Sequence, residues 1–308
     1  MQLLLLAALL TAIPNVSSTA TSAAMSPAAS DAASSPSHQS LGPLLTEPQP
    51  VRVGGADYRF LVLTVATSEN EALFRFEHSC AVYGHACRRL GFGKSWRGGN
   101  MKKGVGGGQK INLLRAALDG LVAGGQADTL VMFSDSYDVF MAAGPQAIAE
   151  AFVSYGVDVL FSAERWCWPE RKLEARYPPC GSATWTGGVA SGAAGDAGGG
   201  AAGGAAGGAA CPYRFLNSGG FIGRAGVLRS LVGHKVHDHA DDQLYFTHRY
   251  LSSLEARADG HGSGVGGGEA RGASTGIALA PTYELDTNCS IFQTLGGAKE
   301  DVEVVDGK

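Results

Sequence analysis

Two carboxylates three positions apart, Asp135 and Asp138, close the run Leu130-Val-Met-Phe-Ser-Asp-Ser-Tyr-Asp138, with Tyr137 between them. An apolar strand of this kind delivers its C-terminal end to the crevice where open α/β sheets bind ligands. Paired carboxylates there suit a hard divalent cation, which takes oxygen ligands and shares them with a substrate's phosphates. The same residues also make an ordinary acidic turn, because Asp and Ser hydrogen-bond locally. Both readings stay open on this motif alone.

Other segments carry chemistry that would complement such a cation. Gly104-Val-Gly-Gly-Gly-Gln-Lys110 precedes a helical pattern. Backbone N–H groups at Gly107 and Gly108 can approach an anion at a helix N-terminus, and Lys110 adds a point charge. In a chain with 45 glycines, a merely flexible loop is the competing reading. Trp96 lies in a turn-rich loop, Ser95-Trp-Arg-Gly-Gly-Asn100. It either caps the core or, with Tyr137, offers ring faces to a nucleobase, where stacking is worth roughly 1–3 kcal/mol per base. Glu164-Arg-Trp-Cys-Trp-Pro-Glu170 makes Glu164 and Trp168 candidates for sugar contacts, while Trp166 is expected to pack over the core. Arg214-Phe-Leu-Asn-Ser-Gly-Gly-Phe-Ile-Gly223 reads as a sheet edge where paired glycines allow positive φ and close approach. Asn217 there either binds a hydroxyl or caps the turn. Asp241 and Asp242 open a helical pattern, as dipole partners of its first turn or as groups that orient sugar and acceptor hydroxyls.

The elements that must position these residues follow from periodicity. Tyr58–Ala66 and Val157–Ser162 read as strands buried on both faces, with a shorter strand near Arg89–Phe92. Helices are expected over Glu71–Tyr83, from Pro145, and over Gln109–Val122, where Ile111, Leu114, Leu118 and Leu121 share one face. Strands alternating with helices predict an α/β fold with a mostly parallel central sheet.

Around this unit the composition changes. Residues 1–24 combine an apolar run too short to span a bilayer with small residues, as in a secretory signal peptide lacking its basic start. Residues 25–56 are rich in Ser, Ala and Pro and read as a disordered linker to a domain over 57–308. Within it, 187–210 and 260–276 are low-complexity surface insertions. Cys180 and Cys211 bracket the first, paired or as two separate thiols. No CxxC pair occurs among the six cysteines, which argues against a structural zinc site. Asn288-Cys289-Ser290 is an N-glycosylation sequon. A net charge of −4 makes no electrostatic case for nucleic acid or an anionic membrane, and no later run is long enough for a stable membrane span. The expected location is the endoplasmic reticulum or Golgi lumen, or outside the cell.

Trp96-Arg-Gly-Gly, Gly-Gly-Gly-Gln-Lys110, Phe-Ser-Asp-Ser-Tyr-Asp138, Phe-Ser-Ala-Glu-Arg-Trp-Cys-Trp-Pro-Glu170, Phe-Leu-Asn-Ser-Gly-Gly220, Asp-Asp-Gln-Leu244 and Ile-Phe-Gln-Thr-Leu-Gly-Gly-Ala298 occur in a fixed order. That order resembles the N-terminal glycosyltransferase domain of the multifunctional lysyl hydroxylase and procollagen glucosyltransferase family, over roughly Tyr58 to Val305. The resemblance implies a GT-A type nucleotide-sugar-binding fold using Mn²⁺ and a UDP-sugar. By position, Asp135 and Asp138 would hold the metal, Trp96 and Tyr137 the uracil, and Lys110 the diphosphate. Glu164, Trp168, Asn217, Asp241 and Asp242 would line the sugar and acceptor side. The implied activity is transfer of glucose, or galactose, to a hydroxyl on a protein-linked acceptor such as glycosylated hydroxylysine. The family's longer acidic run is here His237-Asp-His-Ala-Asp-Asp242. Its further metal ligand, in a His-Gly-Asn-Gly segment, has no counterpart before Lys308, so the chain is expected either to be truncated or to lack one ligand. The rival expectation is a catalytically silent relative that binds a nucleotide-sugar or glycan.

Overall fold

The computed structural model describes residues 4–6, 44–100, 105–179, 212–261 and 281–296. Apart from Leu4–Leu6, residues 1–24 lie outside them, as do 25–43, all of 187–210, most of 260–276, Cys180 and Cys211. A seven-stranded sheet has the order β2(Gln49–Val53), β3(Ala56–Val65), β5(Leu130–Ser134), β8(Phe215–Arg224), β7(Val159–Glu164), β9(Tyr283–Asp286), with β4(Cys87–Leu90) also paired to β3. Strands β3, β4, β5, β7 and β9 run one way; β2 and β8 run against them. A small second sheet sets β1(Leu4–Leu6) between β6(Val139–Met141) and β10(Gln293–Thr294).

Strand alternation divides the core into two layers. Leu61, Leu63, Val131, Phe133, Phe161 and Phe221 face α2(Gly108–Ala123), α4(Ala225–Val232) and α5(Asp242–His261). Phe60, Val62, Leu130, Met132, Leu160 and Ile222 face α1(Glu71–Val82) and α3(Pro145–Tyr155). At the centre of the first layer, Phe221 packs on Phe133 at 5.0 Å, Phe161 at 5.5 Å and Phe246 at 4.9 Å between ring centroids. The expected stripe of Ile111, Leu114, Leu118 and Leu121 is the buried face of α2.

Two expectations are corrected here. Order begins before residue 57: Gln49–Val53 pairs antiparallel with the start of β3 and buries Val51 and Val53. Alternate apolar residues that find a strand edge can stay ordered even in a Pro-containing, low-complexity context. Phe215–Arg224 is a central strand and not an edge, bonded to β5 on one side and β7 on the other. Its glycine pair sits in a bulge, where Phe161 opposes Phe221 but Ser162 opposes Asn217. Neither Gly219 nor Gly220 has a positive φ.

The turn joining α1 to β4 contains a buried imidazole. His85 Nε2 lies 2.7 Å from the Ala143 carbonyl, which requires Nε2–H as donor, and Nδ1 has no hydrogen-bond partner among the described residues. Burial holds its pKa below the ordinary value, against the opposing pull of that carbonyl. The folded state therefore binds this proton less readily than the unfolded chain. Stability from this group is complete above about pH 6.5 and is lost as pH falls toward the depressed folded value. Denaturant midpoints measured on both sides of that pH will fall further on acidification in the wild type than in His85→Gln. An equal change in both would show that His85 is not the group responsible.

Candidate active site

The parallel strands bring their C-terminal ends to one margin, where β5 releases Asp135 and β7 ends at Glu164. Because β8 runs the other way, its beginning reaches the same margin. The Asp135 N–H donates to the Gly219 carbonyl at 2.8 Å, and Asn217 stands opposite Ser162. Residues from sequence regions some 80 positions apart meet there only through this antiparallel insertion.

Lys110 projects from the first turn of α2 into the acidic cluster. Its Nζ lies 2.8 Å and 3.0 Å from the two Asp135 oxygens and 3.1 Å from Asp242 Oδ2. The ammonium's three donors thus have three oxygen partners. Burial would lower the lysine pKa, but Asp135 and Asp242 outweigh it and hold the ammonium protonated. Burial pushes the Asp135 carboxyl up, Lys110 pulls it down, and Asp242 adds to the rise. Asp138 makes no ion pair among the described residues. Burial, then the Asp135 charge, push its carboxyl up to about 6.

The glycines before Lys110 act differently from the expectation. Their amides already have protein acceptors: Gly107 N–H donates to Gly98 O at 2.8 Å, and Gly108 N–H to Ala240 O at 2.7 Å. Neither is open to an anion in this conformation. What these positions need is room. A Cβ on Gly107, whose φ is 105°, would collide with the Asp242 carboxyl, and one on Gly108 with the His237 carbonyl. The tract lets the start of α2 close against the loop before α5, which is how Asp242 reaches Lys110.

Asp241 and Asp242 have separate roles. Asp241 Oδ1 accepts the Leu244 N–H at 2.7 Å and so caps α5, the ordinary role of an acid at that position. Burial raises its pKa, against that hydrogen bond. Asp242 is buried and turned to Lys110. Beside them Glu164, also buried, accepts from Asn217 Nδ2 and Gln243 Nε2, both at 3.3 Å. Gln243 further accepts the Ser218 N–H at 2.7 Å and donates to the Leu216 carbonyl. It ties the start of β8 to α5.

The aromatic residues are solvent-facing. Trp96 is 37 % exposed, Tyr137 41 % and Trp168 57 %. Trp166, expected in the core, is 63 % exposed, because its loop leaves the sheet margin outward. The Trp96 loop is fixed by Gln109: the amide accepts the Arg97 N–H and donates to Ser95 O at 3.0 Å, while Trp96 Nε1–H donates to Gly99 O at 2.6 Å. Trp96 also lines a cleft of about 700 Å³ with Lys235, His237 and His239, which neither Asp135 nor Asp138 borders. Gln109 and Gln243 went unnoticed in sequence. Both lie beside the charged motifs, and an amide at the first turn of a helix gives no chemical signal by itself.

Among the described residues no three His, Cys, Asp or Glu side chains gather as a complete metal site. The donor set still fits a cation of the Mg²⁺ or Mn²⁺ type, which is held by one or two carboxylates together with substrate phosphates and water. The cluster also sets three carboxylates, Asp135, Asp138 and Asp242, against one ammonium. An anionic ligand entering there needs an additional positive charge.

The family described as the PLOD GT domain matches residues 56–186 and 209–259, omitting most of the Gly/Ala-rich stretch. The chain is 34 % identical over 245 residues to the human "Multifunctional procollagen lysine hydroxylase and glycosyltransferase LH3", covering 79 % of this chain. It is 35 % identical over 243 residues to the Drosophila melanogaster "Procollagen-lysine,2-oxoglutarate 5-dioxygenase", and equally so to the Gallus gallus "Procollagen-lysine,2-oxoglutarate 5-dioxygenase 1". In each case the chain spans about a quarter, 26 %, of the relative's length.

Proposed function

The chain belongs to the family of PLOD glycosyltransferase domains, and from that premise we propose that it transfers a hexose, glucose or galactose, from a UDP-sugar to a hydroxyl on a protein-linked acceptor. The observation that carries this reading is the partly buried Asp138 carboxylate, without an ion-pair partner among the described residues, beside the Lys110–Asp135–Asp242 cluster at the ligand end of the sheet.

In this reading Asp135 and Asp138 hold a divalent cation, Mn²⁺ preferred, which supplies Lewis-acid charge to the leaving diphosphate. Lys110 contributes a fixed positive charge and holds Asp135 in place, so that little reorganisation accompanies binding. Tyr137 and Trp96, both exposed at loops beyond the strand ends, offer faces to the uracil. Glu164 and Asn217 orient sugar hydroxyls, with Gln243 as the residue that positions both. Trp168 extends this side toward the acceptor. A luminal or secreted location is supported by the composition of residues 1–24. Among the described residues no helix is long and apolar enough to cross a membrane.

Release of UDP from UDP-glucose and UDP-galactose, with and without a galactosyl-hydroxylysine peptide, tests the proposal. Mn²⁺-dependent release stimulated by the acceptor is expected, with loss of activity in EDTA. The lack of a third gathered metal ligand among the described residues favours a second reading, a relative that binds the nucleotide-sugar without turnover. Mn²⁺-dependent binding with no UDP release would establish that reading instead.

A further inference from the structure

Away from the acidic cluster, two cysteines meet that the proposed reaction does not use. Cys80 is on the buried face of α1 and Cys87 opens β4; both are buried, and their sulfurs are 3.0 Å apart. The chain between them is a short, tightly specified turn. The His85 N–H donates to Cys80 O at 2.8 Å, Gly84 has φ 73°, and the Val62 N–H donates to Ala86 O at 2.9 Å, seating the turn on β3. Each side chain is thus delivered to the other by elements the fold already holds.

We propose that Cys80 and Cys87 form a disulfide during folding, which ties the end of α1 to β4, the strand leading to the Trp96 loop. The oxidant is a disulfide of the small-molecule or oxidoreductase class. One cysteine thiolate attacks it, forming a mixed disulfide and releasing one thiol. The second thiolate then attacks the protein-side sulfur, releasing the other thiol. Two electrons pass to the oxidant, its disulfide becomes two thiols, and these take up the two protons from the cysteines. Burial and the adjacent Cys80 thiol push the Cys87 thiol well up, so exchange is slow once α1 has docked. Formation belongs to the folding chain, and the finished bond is shielded from reduction.

Trypsin leaves both cysteines in one peptide, Phe76–Arg88. The reduced full-length chain is refolded in a glutathione and glutathione-disulfide buffer, denatured without reductant, alkylated and digested. The peptide is expected unalkylated and lighter than its reduced form by two hydrogens. Prior reduction should make both cysteines alkylatable. In Cys87→Ser, assayed the same way, Cys80 should become alkylatable without reduction. Refolding in vitro makes the test independent of where the protein resides. Two alkylated cysteines in the refolded wild type, or either cysteine linked to a third, would overturn the proposal.

Discussion

Lys110→Met will destabilise the protein by about 3–5 kcal/mol at neutral pH, the range for removing one partner of a buried ion pair. The cause is the pair of carboxylates left behind, since Asp135 and Asp242 both lie on the Lys110 ammonium and Asp242 is buried. The loss should depend on pH. Without the lysine, nothing opposes the burial that already raises the Asp135 carboxyl, and its folded-state pKa climbs further above the unfolded value. Such a group favours the fold at acid pH, and that contribution disappears as pH rises through the folded value. The gap between variant and wild type should therefore narrow on acidification. Guanidinium midpoints at neutral and acid pH measure this directly. Adding Asp242→Asn to Lys110→Met should recover part of the loss, because the two side chains interact. A variant as stable as wild type at pH 7 would mean that the cluster is not coupled in this way.

The second large effect is on binding. Asp138→Asn should weaken Mn²⁺-dependent UDP binding by about 100-fold or more, at least the upper end of what loss of a metal's supporting partner costs. Without metal, the variant should be as stable as the wild type or more so. Burial and Asp135 push the Asp138 carboxyl up to about 6, so the folded state disfavours its charge. Its contribution to stability is present below the unfolded value near 4 and is lost as pH rises through about 6. At pH 7 the neutral amide avoids that penalty, and the acid-side slope should flatten. Calorimetric titration of UDP and thermal melts in EDTA separate the two effects. A large drop in the EDTA melting temperature would mark Asp138 as part of the fold, while equal UDP affinity with and without Mn²⁺ would remove the metal from the site.

The acidic strand end, the α2 stripe and the alternation of strands with helices were legible in sequence because they are local. A run such as Leu130–Ser134 is buried on both faces whatever its neighbours, and a 3.6-residue apolar stripe has one way to hide. The motifs in fixed order likewise pointed to the family without any coordinates. What the sequence could not show was which motif touches which. Lys110 meets Asp135 and Asp242 because α2 and α5 start against each other, across glycines whose purpose is space. The antiparallel place of β8 follows from its pairing with two strands distant in the chain, and its polar and Gly-Gly bulge segment interrupts the continuous apolar run that would mark a strand buried on both faces. Asp241 and Asp242 make the point most simply. They are adjacent and chemically identical, yet successive side chains at a helix start point in different directions. One caps α5 and the other enters the charged cluster, and only the docking of that helix decided which.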